Sequence, residues 1–177
     1  SLDKLSDDNF YKMLGANYTS YNPLDKFELA TIMPSEIDSY YRYDTIQGYV
    51  HDMAAAMQGG VGGHAGLFSN SLDVAKIMQM YLQKGTYGGH TYFSKDTFDV
   101  FNTCYFCNTG NRRGAGFDKP QISGEGPTCG CASKASFGHT GFTGTMVWAD
   151  PEKDLIYIFL SNRSYPDGNI NKLSKLN

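Results

Sequence analysis

No stretch of this sequence is apolar for long enough to cross a bilayer. The longest apolar run, Leu155 to Leu160, is far shorter than the roughly 20 residues a spanning helix needs. Basic residues are in deficit: 15 Lys and Arg against 18 Asp and Glu give a formal charge of −3. The one basic cluster is the pair Arg112-Arg113, so nothing points to a nucleic-acid partner. The chain also lacks internal repeats, a Pro/Ser-rich linker and a visible signal peptide at its start. What it does contain is 41% hydrophobic and 14% aromatic residues over 177 positions. That is enough to bury a core, and it suits one domain or a large part of one.

Periodicity and punctuation divide the chain into short elements. Leu2 to Leu14 carries apolar residues at helical spacing and stops at Gly15, a natural C′ residue. Residues 16–50 are rich in Tyr and Pro and read as an extended excursion, with Thr45 to Val50 as the best strand candidate. His51 to Gln58 reads as a short helix with Asp52 as its N-cap, broken by the glycines from Gly59. Asn70 or Ser71 caps the strongest helix, with Asp73 placed for a capping box. Its expected buried stripe is Val74, Ile77, Met78, Tyr81 and Leu82, and Gly85 ends it. Gly88-Gly89 turns the chain, Ser94 caps a helix to about Asn102, and residues 103–133 are loop-rich. Met146 to Ala149 and Leu155 to Leu160 form a hairpin, and a last helix is at most begun by Ile170 to Leu176. The fold class is therefore α/β (α+β), an antiparallel sheet flanked by helices.

The richest segment is Ser136-Phe137-Gly138-His139-Thr140-Gly141-Phe142-Thr143-Gly144-Thr145. Three glycines at spacing three strip side chains from a strand, leaving backbone N–H groups open to a ligand. His139, Thr140 and Thr143 add a titratable ring and two hydroxyls. That set suits a strand edge that binds an acyl group and its developing oxyanion. A Gly-rich hairpin at a sheet edge with no ligand is the plain alternative.

His139-Thr140-Gly141 leading into a Trp-containing strand resembles the third motif of the serine β-lactamase and penicillin-binding-protein family, class C-related branch. Lys-Thr-Gly is the commoner form there, and His-Thr-Gly occurs in esterase-like and D-aminopeptidase-like branches. The run Gly59 to Ser69 and the helix after it are similar to the family's mid-chain Gly-rich turn and helix. The resemblance implies the serine β-lactamase/DD-peptidase-like fold and a substrate carrying a scissile acyl group. The substrate-binding residues it implies are His139, Thr140, Gly141 and Phe142. His139 would donate to a substrate carboxylate or orient a catalytic hydroxyl, and the Phe142 N–H would be one oxyanion donor. No cofactor or metal is expected.

The same family needs Ser-x-x-Lys at the start of a buried helix, where one turn returns the amine to the serine oxygen. The only literal match is Ser1-Leu2-Asp3-Lys4, with no preceding strand to bury it and too close to His139 for the family pattern. Tyr18-Thr19-Ser20, a formal Tyr-x-Ser, reads as packing. No catalytic residue is therefore expected in the chain. Residues 1–177 read as a single C-terminal fragment, whose partner is the missing N-terminal part of the same domain. By resemblance the protein would work in the periplasm or outside the cell. The alternative is a non-catalytic module of a larger exported protein, of the kind some relatives fuse to a glycoside hydrolase.

Cys104-Tyr105-Phe106-Cys107 and Cys129-Gly130-Cys131 leave three states open: a tetrahedral zinc site, a disulfide between the two arms, or free buried thiols. Arg112-Arg113 fits either a bidentate carboxylate clamp or a solvated loop pair. His64, between glycine-rich turns, reads as structural.

Overall fold

The computed structural model describes residues 1–121 and 126–168. These divide into two compact units. The first holds residues 1–73, 142–145 and 160–168; the second holds 74–121, 126–141 and 146–159. The tail from Ile170 to Leu176 lies outside the described residues.

The first unit opens with α1 (Leu2–Ser6), a π-helical turn (Asp7–Tyr11) and α2 (Lys12–Leu14), one winding stretch that ends at Gly15 in the left-handed region, φ 65°. Strand β1 (Glu36–Asp38) pairs antiparallel with β2 (Asp44–Ile46), Glu36 opposite Ile46. The expected strand from Thr45 to Val50 is thus cut short: Gly48 takes φ 72°, which a strand cannot continue through. Helix α3 (Met53–Met57) has Asp52 as its N-cap, the carboxylate accepting the Ala55 N–H at 2.8 Å.

Helix α4 (Ser71–Leu82) begins in the first unit, with Asn70 accepting the Asp73 N–H at 2.9 Å. The Asp73 carboxylate accepts the Tyr18 N–H at 2.6 Å. In the second unit, β3 (Thr86–Tyr87) and β4 (His90–Thr91) make the small hairpin around Gly88-Gly89, and Ser94 caps α5 (Lys95–Asn102) by accepting the Thr97 N–H. The main sheet is β5 (Phe137–Thr140), β6 (Met146–Asp150) and β7 (Leu155–Phe159), antiparallel throughout in the order β5-β6-β7.

Strand alternation sorts the side chains of this sheet. Phe137, Val147, Ala149 and Ile156 face a core shared with Val74, Met78, Tyr81 and Leu82 of α4 and with Phe98 and Phe117. Rings interlock here: Phe117 and Phe98 lie 5.0 and 5.3 Å from Phe137, and Tyr81 meets Phe117 edge-on at 5.0 Å. Each such buried side chain contributes about 1.5–3 kcal/mol by removal from water. Met80, outside the expected stripe, is also buried.

The opposite face carries Met146, Trp148, Leu155, Tyr157 and Phe159. Trp148 is buried, but Leu155 and Tyr157 are about half exposed, at 53% and 50%. A cleft of about 300 Å³ opens there between these strands and residues 127–132. Asp150, buried at the end of β6, accepts from the Ser133 hydroxyl and N–H at 2.6 and 2.9 Å and from the Glu152 N–H at 3.1 Å. Burial alone would push its pKa up; those hydrogen bonds and Lys153 outweigh it and hold the carboxyl below its usual range.

Candidate active-site strand

Gly138 does not play the part its sequence suggests. A Cβ there would collide with the Val147 carbonyl and the Trp148 ring, so glycine lets β6 and its indole close onto β5. Its backbone is also occupied: Gly138 and Asp118 exchange hydrogen bonds at 3.1 and 2.8 Å. Gly138 is thus a packing glycine, not an opening for a ligand.

That exchange fixes which groups of β5 face outward. In an antiparallel ladder, successive residues turn their N–H and C=O to alternate edges. Since Gly138 bonds outward to Asp118, His139 bonds inward to Val147, its register partner. Thr140 then turns outward again. Among the described residues no strand pairs with the outer edge of β5, the edge away from β6, beyond the bridge at Gly138, so the Thr140 N–H lies on a bare edge.

The His139 ring is exposed beside this edge. Its Nδ1 lies 2.6 Å from the Thr140 carbonyl oxygen and its Nε2 2.9 Å from Arg113 Nη1. Arg113 is held in turn by Asp118, whose carboxylate is almost fully buried: Arg113 Nε lies 3.0 Å from Oδ1, and Arg112 Nη2 donates to Oδ2 at 3.2 Å. The arginine pair is therefore neither a free clamp nor a solvated pair. Both guanidinium groups converge on Asp118, and one of them continues to His139. The sequence signal for this was weak, because 26 residues separate Arg113 from His139.

Gly141 leaves β5, and Phe142 to Thr145 form a turn in the first unit. There the Phe142 ring lies 5.3 Å from the Arg163 guanidinium and 5.2 Å from the His51 ring. The turn is pinned by Arg163 N–H to the Thr143 carbonyl at 2.8 Å and Ser161 hydroxyl to the Gly144 carbonyl at 2.9 Å. His51 stands 3.6 Å from the buried Glu36, and burial lowers its basicity despite that neighbour. From the sequence, His51-Asp52 reads as a helix start rather than as part of a site. His64 meets Asp52 at 3.0 Å, consistent with a structural turn.

The remaining candidates stay outside any reactive cluster. Ser1 heads an exposed helix, and Lys4 turns to Asp8 at 2.6 Å, three-quarters exposed. Tyr18 stacks on Phe27 at 5.6 Å, while the buried Thr19 shares a 2.7 Å hydroxyl contact with Ser69. The cysteines resolve differently from a bridge between arms: Cys104 pairs with Cys107 and Cys129 with Cys131. The Cα atoms within each arm are 5.5 and 5.3 Å apart, the spacing a disulfide requires. With all four sulfurs so bonded no thiolate remains for zinc, and among the described residues no His, Cys, Asp or Glu cluster is placed to hold a metal. Among them, too, no helix is long and apolar enough to cross a membrane.

Comparison with known proteins agrees with this layout. The family model described as Beta-lactamase matches residues 1–176. An Escherichia coli K12 protein with the provisional name D-alanyl-D-alanine carboxypeptidase is 35% identical across 93% of this chain and 40% of its own length. A Bacillus subtilis N-acetylmuramyl-L-alanine amidase is 33% identical with the same coverage. The chain thus spans about 40% of the curated relatives it matches. In fold it is similar to a Mycobacterium bovis β-lactamase, TM-score 0.59 at 19% identity over 96% of this chain and 51% of that one. A penicillin-binding protein homologue from Caulobacter crescentus gives the same TM-score at 16% identity, covering 92% of this chain and 47% of that one.

Proposed function

The chain belongs to the beta-lactamase family, and on that footing we propose that it supplies the substrate-binding strand of a serine acyl-hydrolase. The observation that carries this reading is the bare outer edge of β5 at Thr140, beside the exposed His139 ring, on the His-Thr-Gly motif itself. An extended acyl substrate lies along such an edge by hydrogen-bonding the open N–H. His139, Thr140 and Gly141 line the substrate, and the Phe142 N–H is one oxyanion donor. The nucleophilic serine and its proton acceptor lie in the part of the protein outside these 177 residues. Its own N–H is the second oxyanion donor.

In this scheme the serine oxygen bonds to the acyl carbon while its proton passes to the adjacent base. The tetrahedral oxyanion collapses, expelling the amine or alcohol with that proton and leaving an acyl-enzyme. Water then releases the acid and restores the serine. The substrate is a D-amino-acid peptide, a β-lactam or an ester. The relatives named for D-alanyl-D-alanine and muramyl-alanine bonds support the first. We place the protein in the periplasm or outside the cell, which the two disulfides support, since they persist in oxidising compartments.

Intact-mass analysis after exposure to benzylpenicillin and, separately, a fluorophosphonate tests this. The full-length protein gains a stoichiometric adduct on a serine outside residues 1–177, and the folded 177-residue chain gains none. A full-length protein that takes up neither reagent is a non-catalytic module. An adduct on Ser1 of the chain would place the nucleophile here.

A further inference from the structure

The hydrogen bonds that pin the turn after β5 end on the Thr143 and Gly144 carbonyls, one and two residues past Phe142. Among the described residues the Phe142 N–H donates to nothing. Phe142 is held instead through its side chain. The ring is largely exposed, and it rests 5.2 Å from the His51 ring, tilted by 40°, with the Arg163 guanidinium 5.3 Å from its centre.

His51 is mostly buried, yet neither of its ring nitrogens makes a hydrogen bond among the described residues. Nδ1 is buried without a partner, and Nε2 lies 3.6 Å from Glu36 Oε2. A histidine kept only for structure has its buried nitrogens paired, because an unpaired one costs stability. Its placement, by contrast, is closely controlled. Arg42 donates to the Val50 and His51 carbonyls at 2.7 and 3.1 Å, and its own N–H donates to the buried Asp38 carboxylate at 3.0 Å. Glu36 is fixed as well: Oε1 accepts the Gly168 N–H at 3.1 Å and Oε2 the Tyr40 hydroxyl at 3.2 Å. The imidazole is thus placed by a clamped backbone and an immobilised carboxylate, and the ring it bears on is Phe142.

We propose that His51 is a positioning residue whose ring holds the Phe142 ring and, through it, aims the Phe142 N–H at the oxyanion of the acyl substrate. The oxyanion part rests on the acyl-hydrolase reading above; the hold of His51 on Phe142 stands without it. His51 acts through Phe142 and not on the reacting atoms. What the position needs is a flat ring, so another aromatic residue preserves the role and alanine loses it.

Two measurements on the full-length protein test this. The first is a double-mutant cycle in urea midpoint for His51→Ala and Phe142→Ala. Phe142→Ala lowers the midpoint of the native protein and leaves that of His51→Ala unchanged; losses that simply add overturn the hold. The second follows benzylpenicillin acylation by intact mass over time at rising reagent concentration. His51→Ala lowers the saturating rate at least about fivefold with the half-saturating concentration little changed, because the donor acts on the oxyanion more than on the bound acyl group. His51→Phe recovers most of that rate, and His51→Ala adds nothing once Phe142 is alanine. An effect on the half-saturating concentration alone, a folded His51→Phe as slow as His51→Ala, or additive losses in rate overturn the positioning role. Phe142 is exposed, so its variant folds and the non-additivity decides the matter even if His51→Phe does not fold. A wild type that takes up no penicillin while the two rings remain coupled faults the hydrolase reading and not the hold.

Discussion

Lys119 offers the sharpest test of the second unit's packing. Its side chain is only 8% exposed, with Nζ 5.7 Å from the centre of the Phe137 ring. The amine reaches the Ala135 carbonyl at 3.1 Å and Asn102 Oδ1 at 3.4 Å, and among the described residues no carboxylate partners it. Burial pulls its pKa down from 10.5 to about 8. A drop of that size costs the folded state up to about 3 kcal/mol whenever the amine is charged. The sign follows from proton uptake. Below pH 8 the lysine is protonated folded and unfolded, and the cost is present in full. Between pH 8 and 10.5 the unfolded chain binds the proton and the folded chain sheds it, so stability rises with pH. Urea unfolding of the wild type and Lys119→Met at pH 7, 8, 9 and 10 reads this directly. The methionine keeps the stem and removes the charge, so subtracting the two curves cancels the 13 tyrosines and the other lysines. Lys119→Met is expected to lose ground to the wild type by about 2–3 kcal/mol between pH 7 and 10. A difference that stays flat across that range refutes the desolvated lysine.

Gly138→Ala drives a methyl group into the Val147 carbonyl and the Trp148 ring and lowers stability by at least about 1–3 kcal/mol, read as a reduced urea midpoint; an unchanged midpoint contradicts the close approach. Tryptic digestion without reductant releases residues 96–112 and 114–134 as separate peptides, each lighter by two hydrogens than its reduced form. One joined species would restore a bridge between the arms. In the full-length protein, His139→Ala lowers kcat/KM by at least about tenfold, and unchanged kinetics return the ring to a structural part.

Local chemistry made much of this architecture legible. Asp52, Asn70 and Ser94 cap helices where a short polar side chain precedes apolar periodicity. Gly88-Gly89 and the run of residues 146–160 fold as the hairpins their turns require. What escaped is non-local. Asp118 and Asp150 sit in loop-like sequence, yet both are buried because backbone or arginine donors from elsewhere converge on them. No period in the sequence marks that. The pairing of Arg113 with His139 depends on Asp118 bridging to Gly138, a tertiary event. Even the glycine spacing that drew attention to the motif served two purposes, one of them packing.

The outward face of β7 has a practical consequence in solution. Leu155, Tyr157 and Phe159 alternate along one exposed surface, and a net charge of −3 gives weak mutual repulsion. Two copies meeting face to face would shield those side chains from water, so the separately expressed chain gains colloidal stability from dilution and loses it in high salt. Concentration thus becomes a variable in every experiment with it: a Tm that climbs with protein concentration reports this contact rather than the fold itself.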